Sequence, residues 1–233
     1  MKRALLVGID RYADQTIPDL NCAVTDAKQM DTLLQTHENG ERNFETRCLI
    51  APEYKVTQAT LNEHVYNLFH NEADVALFYF AGHGTVNDLS GYLMTYDSAP
   101  HDEGVSMADL LMRAANANAK EVFIILDCCH SGAAGERPSS IGDTAFLREG
   151  ISILSSSRST QKSVEINGSG LFTSLISDAL LGGAADLLGK VTAASIFDYV
   201  DKILGAWEQR PIFKSNISRM SPIRKTNPSI DVQ

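Results

Sequence analysis

The chain has 233 residues, 44% of them hydrophobic and 21% charged, and a formal net charge of −9. That length supports one sizeable core. The absence of any run of about 18 apolar residues argues against a membrane span, and the acidic balance argues against sequence-independent nucleic-acid binding. Charge is uneven: residues 1–200 carry 14 Lys and Arg against 26 Asp and Glu, whereas residues 201–233 carry 6 against 3. Acidity of this kind aids solubility and tolerates a cationic substrate. The four cysteines, Cys22, Cys48, Cys128 and Cys129, do not have the spacing of a disulfide framework, which points to a reducing, cytoplasmic setting.

The opening "MKRALLVGID" turns polar at Asp10 and Arg11 too soon for a signal peptide, so residues 3–9 read as a strand without polar alternation, covered on both faces. Residues 23–36 place Ala23, Ala27, Met30, Leu33 and Leu34 at helical spacing. A strand follows over 44–50, a helix over 56–70, and a buried strand over 74–82 that ends in small residues. Residues 105–117 read as a helix, 121–129 as a second buried strand and 150–157 as a third. Residues 170–183 and 192–207 are two further helices, the first stopped by glycines. Strands alternating with helices imply a mostly parallel sheet with helices on both faces; the expected fold is a three-layer α/β/α sandwich with a six-stranded sheet. No internal repeat or linker divides the chain. Residues 1–220 form the expected domain, and 221–233 read as a frayed tail.

The longest irregular stretches, 84–104 and 130–149, directly follow "AGHG" (81–84) and "DCCHSG" (127–132). Ligands of open parallel sheets bind at the carboxyl ends of the strands, and adjacent strands lie about 5 Å apart. His83 and Cys129, each just beyond such an end, can therefore share one cleft. A thiol beside an imidazole is the minimal apparatus of cysteine nucleophilic catalysis. Flanking glycines leave backbone N–H groups free to hold an oxyanion. Singly, a loop histidine and a small buried cysteine are ordinary features; the joint occurrence is what informs. Three consecutive residues cannot close a tetrahedron around a metal, so Cys128, Cys129 and His130 are no metal site.

"ALFYFAGHG" and "VFIILDCCHSG" resemble the histidine and cysteine motifs of caspase-like peptidases, in particular the metacaspases and the prokaryotic orthocaspases. "LVGIDRYADQTIPDLNCAVTDAKQM", "SILSSSRSTQKSVE", "GLFTSLISDAL" and "QRPIF" extend the resemblance over about residues 1–215. It implies a caspase-like fold and a cysteine endopeptidase of protein substrates. The family pattern makes Cys129 the nucleophile and Cys128 the variable residue, with His83 as the base. Strand alternation agrees, since Asp127 and Cys129 share one face while Cys128 packs on the other. Backbone N–H groups of Cys129 and Gly84 would hold the oxyanion.

Metacaspases cut after Arg or Lys, and the resemblance places the recognising carboxylates at Asp26 and Asp127. A carboxylate pair suits a guanidinium well. Ala81 replaces a serine frequent in metacaspases. Family members are often controlled by cleavage in the loop after the nucleophile, and Arg148 in "AFLREG" is the better candidate there, ahead of Arg137. No cofactor is implied. Calcium dependence occurs in the family, but Asp88, Asp97, Asp102 and Glu103 match no ligand pattern. The rival reading is a latent or vestigial caspase-fold interaction module. Bacterial stress, cell-death or anti-phage settings accompany the resemblance. Substrate identity, trigger, oligomeric state and a third catalytic group are left open.

Overall fold

The computed structural model describes residues 1–51, 54–88, 90–128, 147–156, 165–166, 169–204 and 211–230. Six strands form the central sheet: β1 (Lys2–Ile9), β2 (Phe44–Ala51), β3 (Ala73–Gly82), β7 (Ala119–Cys128), β8 (Ile151–Ser155) and β12 (Ile212–Asn216). Their order across the sheet is β12-β8-β7-β3-β1-β2. All pairings are parallel except β12 with β8, which is antiparallel.

Two hydrophobic cores flank the sheet. One packs α2 (Gln58–His70) and α3 (Met107–Ala115) against side chains such as Val7, Phe78, Phe80 and Ile124. The other packs α1 (Ala23–Gln35), α4 (Leu171–Asp178) and α5 (Ala193–Leu204) against Leu6, Leu77, Tyr79 and Ile125. Neighbouring residues of one strand thus divide between two cores, which is why β1, β3 and β7 carry apolar runs rather than alternation. This is the expected α/β/α sandwich on a mostly parallel six-stranded sheet.

Several boundaries differ from expectation. The Ser106 hydroxyl accepts from the Asp109 N–H, so the helix begins at Met107 and residues 105–106 form a short strand, β6 (Val105–Ser106), instead. The "irregular" 84–104 stretch holds β4 (Gly84–Val86) and β5 (Gly91–Leu93), which join β6 in a small antiparallel sheet. β5 stops at Leu93, and beyond it Asp97 turns back to accept from Thr95 Oγ1 at 2.7 Å and Gln58 N–H at 2.9 Å. Two small pairs complete the described strands: β9 (Glu165–Ile166) with β10 (Ser169–Gly170), and β11 (Lys190–Val191) with β13 (Arg224–Lys225).

Residues 221–226 are not a frayed tail. Ile223 is buried, and Arg224 is buried with its guanidinium donating to the carbonyls of Thr36 and Leu180. The Lys2 ammonium donates to Pro222 O and Asn43 Oδ1. These bonds clasp the segment across the amino-terminal edge of the sheet. Among the described residues, no helix is long and apolar enough to cross a membrane.

Candidate active site

The site begins with a register. Gly8, Ala81 and Asp127 form one row across β1, β3 and β7, and Gly82 pairs with Cys128 one step further. The row is small for a reason. A Cβ on Gly8 would lie 2.4 Å from the Ala23 carbonyl oxygen and 2.8 Å from Ala27 Cβ. The missing side chain lets the first turn of α1 settle onto the carboxyl edge of the sheet. That approach brings Asp26, 2% exposed, over the end of β7. Cys22 offers α1 no side-chain cap. The Asp10 carboxylate, thirteen residues upstream of Ala23, accepts from the N–H groups of Ala23 at 2.8 Å and Val24 at 3.3 Å in its place.

Asp26 and Asp127 meet at Gly170. The Gly170 N–H donates to both Asp26 carboxylate oxygens, at 3.3 and 3.2 Å. A Cβ built on Gly170 would stand 3.0 Å from Asp26 Oδ2 and 3.4 Å from Asp127 Oδ2. The two carboxylates therefore border one notch whose floor is a glycine. Asp127 also accepts from Thr173 Oγ1 at 2.6 Å, and Thr173 Oγ1 lies 2.7 Å from the Tyr79 hydroxyl. Burial pushes the Asp127 carboxyl above its usual pKa, while the Thr173 hydroxyl, the Ser156 hydroxyl and the Thr173 N–H oppose that rise. Tyr79, fully buried and near both carboxylates, is pushed well above the usual tyrosine value, so it keeps its proton.

His83 follows β3 and is held at three points. Its N–H donates to the Tyr12 hydroxyl at 2.8 Å, its ring lies 5.2 Å from the Tyr12 ring, and its Nε2 is 2.8 Å from the Pro18 carbonyl oxygen. A carbonyl can only accept, so Nε2 carries the proton and Nδ1 is left as the basic nitrogen. Gly84 pairs with Leu93, while the Met94 N–H donates to the His83 carbonyl at 3.0 Å. Gly84–Leu93 is then a non-hydrogen-bonded pair of the antiparallel ladder, and the Gly84 N–H points away from β5. Cys128 is 3% exposed, packed in the core on the α2 and α3 side. Cys129 lies outside the described residues, as does Arg137.

Of the expected site residues, Asp26 and Asp127 come together, and His83 and Gly84 lie at the same carboxyl edge of the sheet. Arg148 does not join them. It sits before β8 at the opposite edge, where its guanidinium donates to the carbonyls of Ala117 at 3.0 Å and Ala119 at 2.9 Å. A cavity of about 660 Å³ at that edge, lined in part by Lys120, Glu121, Arg148 and Arg219, is remote from His83. Among the described residues, no three His, Cys, Asp or Glu side chains converge to hold a metal. Sequence reasoning missed Asp10, Tyr12, Pro18, Thr173 and Tyr79. Only Tyr12 and Thr173 had any signal, as polar-tipped residues in a segment otherwise explained by packing.

The fold and this strand-end arrangement define a caspase-type α/β/α domain. A family model for the caspase domain matches residues 1–221, and the chain belongs to that family of cysteine peptidases. Among solved structures, protein GSU0716 from Geobacter sulfurreducens is similar at 17% identity and a TM-score of 0.68, over 100% of this chain and 99% of that one. Caspase-1 from Spodoptera frugiperda is similar at 13% identity and a TM-score of 0.67, over 96% and 92%. At these identities the likeness concerns the fold. No curated protein matches the sequence.

Proposed function

We propose that the chain is a cysteine endopeptidase that cleaves proteins after Arg or Lys. The observation that carries this reading is the meeting of Asp26 and Asp127 at Gly170, on the sheet edge that also bears His83. Two carboxylates around one glycine attract a guanidinium or ammonium group through charge-assisted hydrogen bonds. Cys129 is the nucleophile in this reading. Burial of Cys128 in the core on the α2 and α3 side supports it, since a packed thiol is poorly placed to attack a substrate.

In the first step His83 Nδ1 takes the thiol proton and the sulfur attacks the scissile carbonyl carbon. The N–H groups of Gly84 and Cys129 receive the oxyanion. The imidazolium then protonates the leaving amine, and water hydrolyses the thioester by the same route. Fixing the Nε2 proton on Pro18 keeps His83 in the tautomer this sequence needs. Self-cleavage after Arg148 would first require release of its guanidinium from the Ala117 and Ala119 carbonyls, so processing there belongs to an opened state or a second molecule. A reducing, cytoplasmic compartment belongs to the same proposal, on the cysteine spacing of the sequence.

The test is a P1-scanning library combined with labelling by an arginyl chloromethyl ketone. Cleavage confined to Arg and Lys, with one equivalent of label on Cys129, is expected. Failure of both, in folded protein, would favour the regulatory module without turnover.

A further inference from the structure

Thr173 is fully buried in the first turn of α4. A helical threonine usually returns its hydroxyl to a carbonyl of the preceding turn. Here the hydroxyl reaches another element, donating to Asp127 Oδ2 at 2.6 Å. Its oxygen in turn faces the Tyr79 hydroxyl at 2.7 Å. Thr173 has one hydroxyl proton, and an ionised carboxylate can only accept. The Tyr79 hydroxyl must therefore donate to Thr173, giving a one-way chain from β3 through α4 to Asp127. Valine and phenylalanine would fill these two positions without desolvating a hydroxyl. Asp127 is the single end of the chain, and its Oδ2 is the atom that borders the Gly170 notch.

We infer that Thr173, backed by Tyr79, is the positioning residue that keeps the Asp127 carboxylate ionised and turned toward the notch where a basic side chain binds. The inference rests on the proposed preference for Arg or Lys. Burial alone would let Asp127 neutralise itself by taking a proton, and a neutral carboxyl has no claim on a guanidinium. The hydroxyl chain opposes that loss. Among the described residues, the titratable groups near Asp127 are Asp26 on α1 and Tyr79 on β3, with Cys128 beside it and His83 two residues past its partner Ala81.

The experiment compares the wild-type protein with Thr173→Val, Thr173→Ser and Tyr79→Phe. The Asp127 Cγ resonance, identified with Asp127→Asn, is titrated by ¹³C NMR in each. Benzamidine binding and arginyl-reporter kinetics are measured across the same pH range. Thr173→Val should raise the Asp127 midpoint by roughly one unit, as loss of a direct hydrogen bond to a carboxylate does, and Thr173→Ser should restore it. Tyr79→Phe should shift it less, in the same direction. The acid limb of benzamidine binding should move with the midpoint, and KM for the reporter should rise more than kcat falls. An unchanged midpoint in Thr173→Val overturns the inference; if that variant does not fold, an unchanged midpoint in Tyr79→Phe does so. If wild-type protein neither binds benzamidine nor cleaves the reporter, the basic-P1 reading falls, while the NMR midpoint still decides the role of Thr173.

Discussion

The Nε2 atom of His83 lies 2.8 Å from the carbonyl oxygen of Pro18, so a backbone acceptor, not a carboxylate side chain, orients the imidazole. In the neutral ring this contact makes Nδ1 the acceptor nitrogen, and the carbonyl adds no formal charge beside the imidazole. Tyr12 completes the clamp by accepting from the His83 N–H at 2.8 Å.

Tyr12→Phe keeps the ring packing and removes that acceptor. Leaving one N–H without its partner costs about 1–3 kcal/mol, and misplacement of the base should lower kcat by roughly tenfold. KM for an arginyl reporter should stay near its wild-type value. Steady-state kinetics beside a thermal melt separates this from general destabilisation.

The adjacent thiols should behave differently. Cys129→Ala is expected to abolish turnover with little change in melting temperature. Cys128→Ala empties a small volume in the core and should cost about 1 kcal/mol of stability, while most turnover remains. Equal loss of activity in both folded variants would reverse the assignment of the nucleophile.

Gly170 offers a clean steric test. Its backbone, at φ −65° and ψ 136°, is one that alanine adopts without strain. An added methyl would nonetheless stand 3.0 Å from Asp26 Oδ2 and 3.4 Å from Asp127 Oδ2. Gly170→Ala should therefore fold normally and raise KM for arginyl substrates at least several-fold. Unaltered arginyl kinetics would show that the notch does not receive the substrate.

Asp127 carries a pH signature. Its folded-state pKa is raised above the ordinary value of 3.8, chiefly by burial. The folded protein thus binds this proton more tightly than the unfolded chain. The corresponding stability is fully present below 3.8 and declines as pH rises through the folded value. Asp127→Asn removes the buried charge and leaves an oxygen to accept from Thr173. Its melting temperature should exceed that of wild type at about pH 7, with the difference closing as pH falls through the raised folded value and the wild-type carboxyl gains its proton. Arginyl cleavage should be lost throughout.

The central strands were legible because two buried faces leave a continuous apolar run, as in "VALFYF" and "VFIIL". Edge strand β12 was not read as a strand. Its Ile212–Asn216 segment is half exposed and turns polar at Lys214, so periodicity says little. Strands of two or three residues, such as β4 to β6, are shorter than any pattern can register. Asp26 and Asp127 were visible through their motifs, at one helix start and one strand end. Pro18 was invisible because a backbone carbonyl has no side-chain signature. Asp10 caps a helix whose first residue is thirteen positions away, beyond the range of local capping rules. Arg148 read as an exposed loop arginine, since only the fold reveals the two carbonyls that bind it.

Residues 10–22 do more than connect β1 to α1. The segment starts with the carboxylate that caps α1, continues through the tyrosine behind the imidazole, and reaches the proline carbonyl that fixes its proton. In the proposed peptidase, selectivity and proton transfer consequently share one short span of chain. Grafting only α1 from a relative to retarget the enzyme would separate Asp26 from its support and disturb the base as well. An engineered exchange should move residues 10–26 as a single cassette.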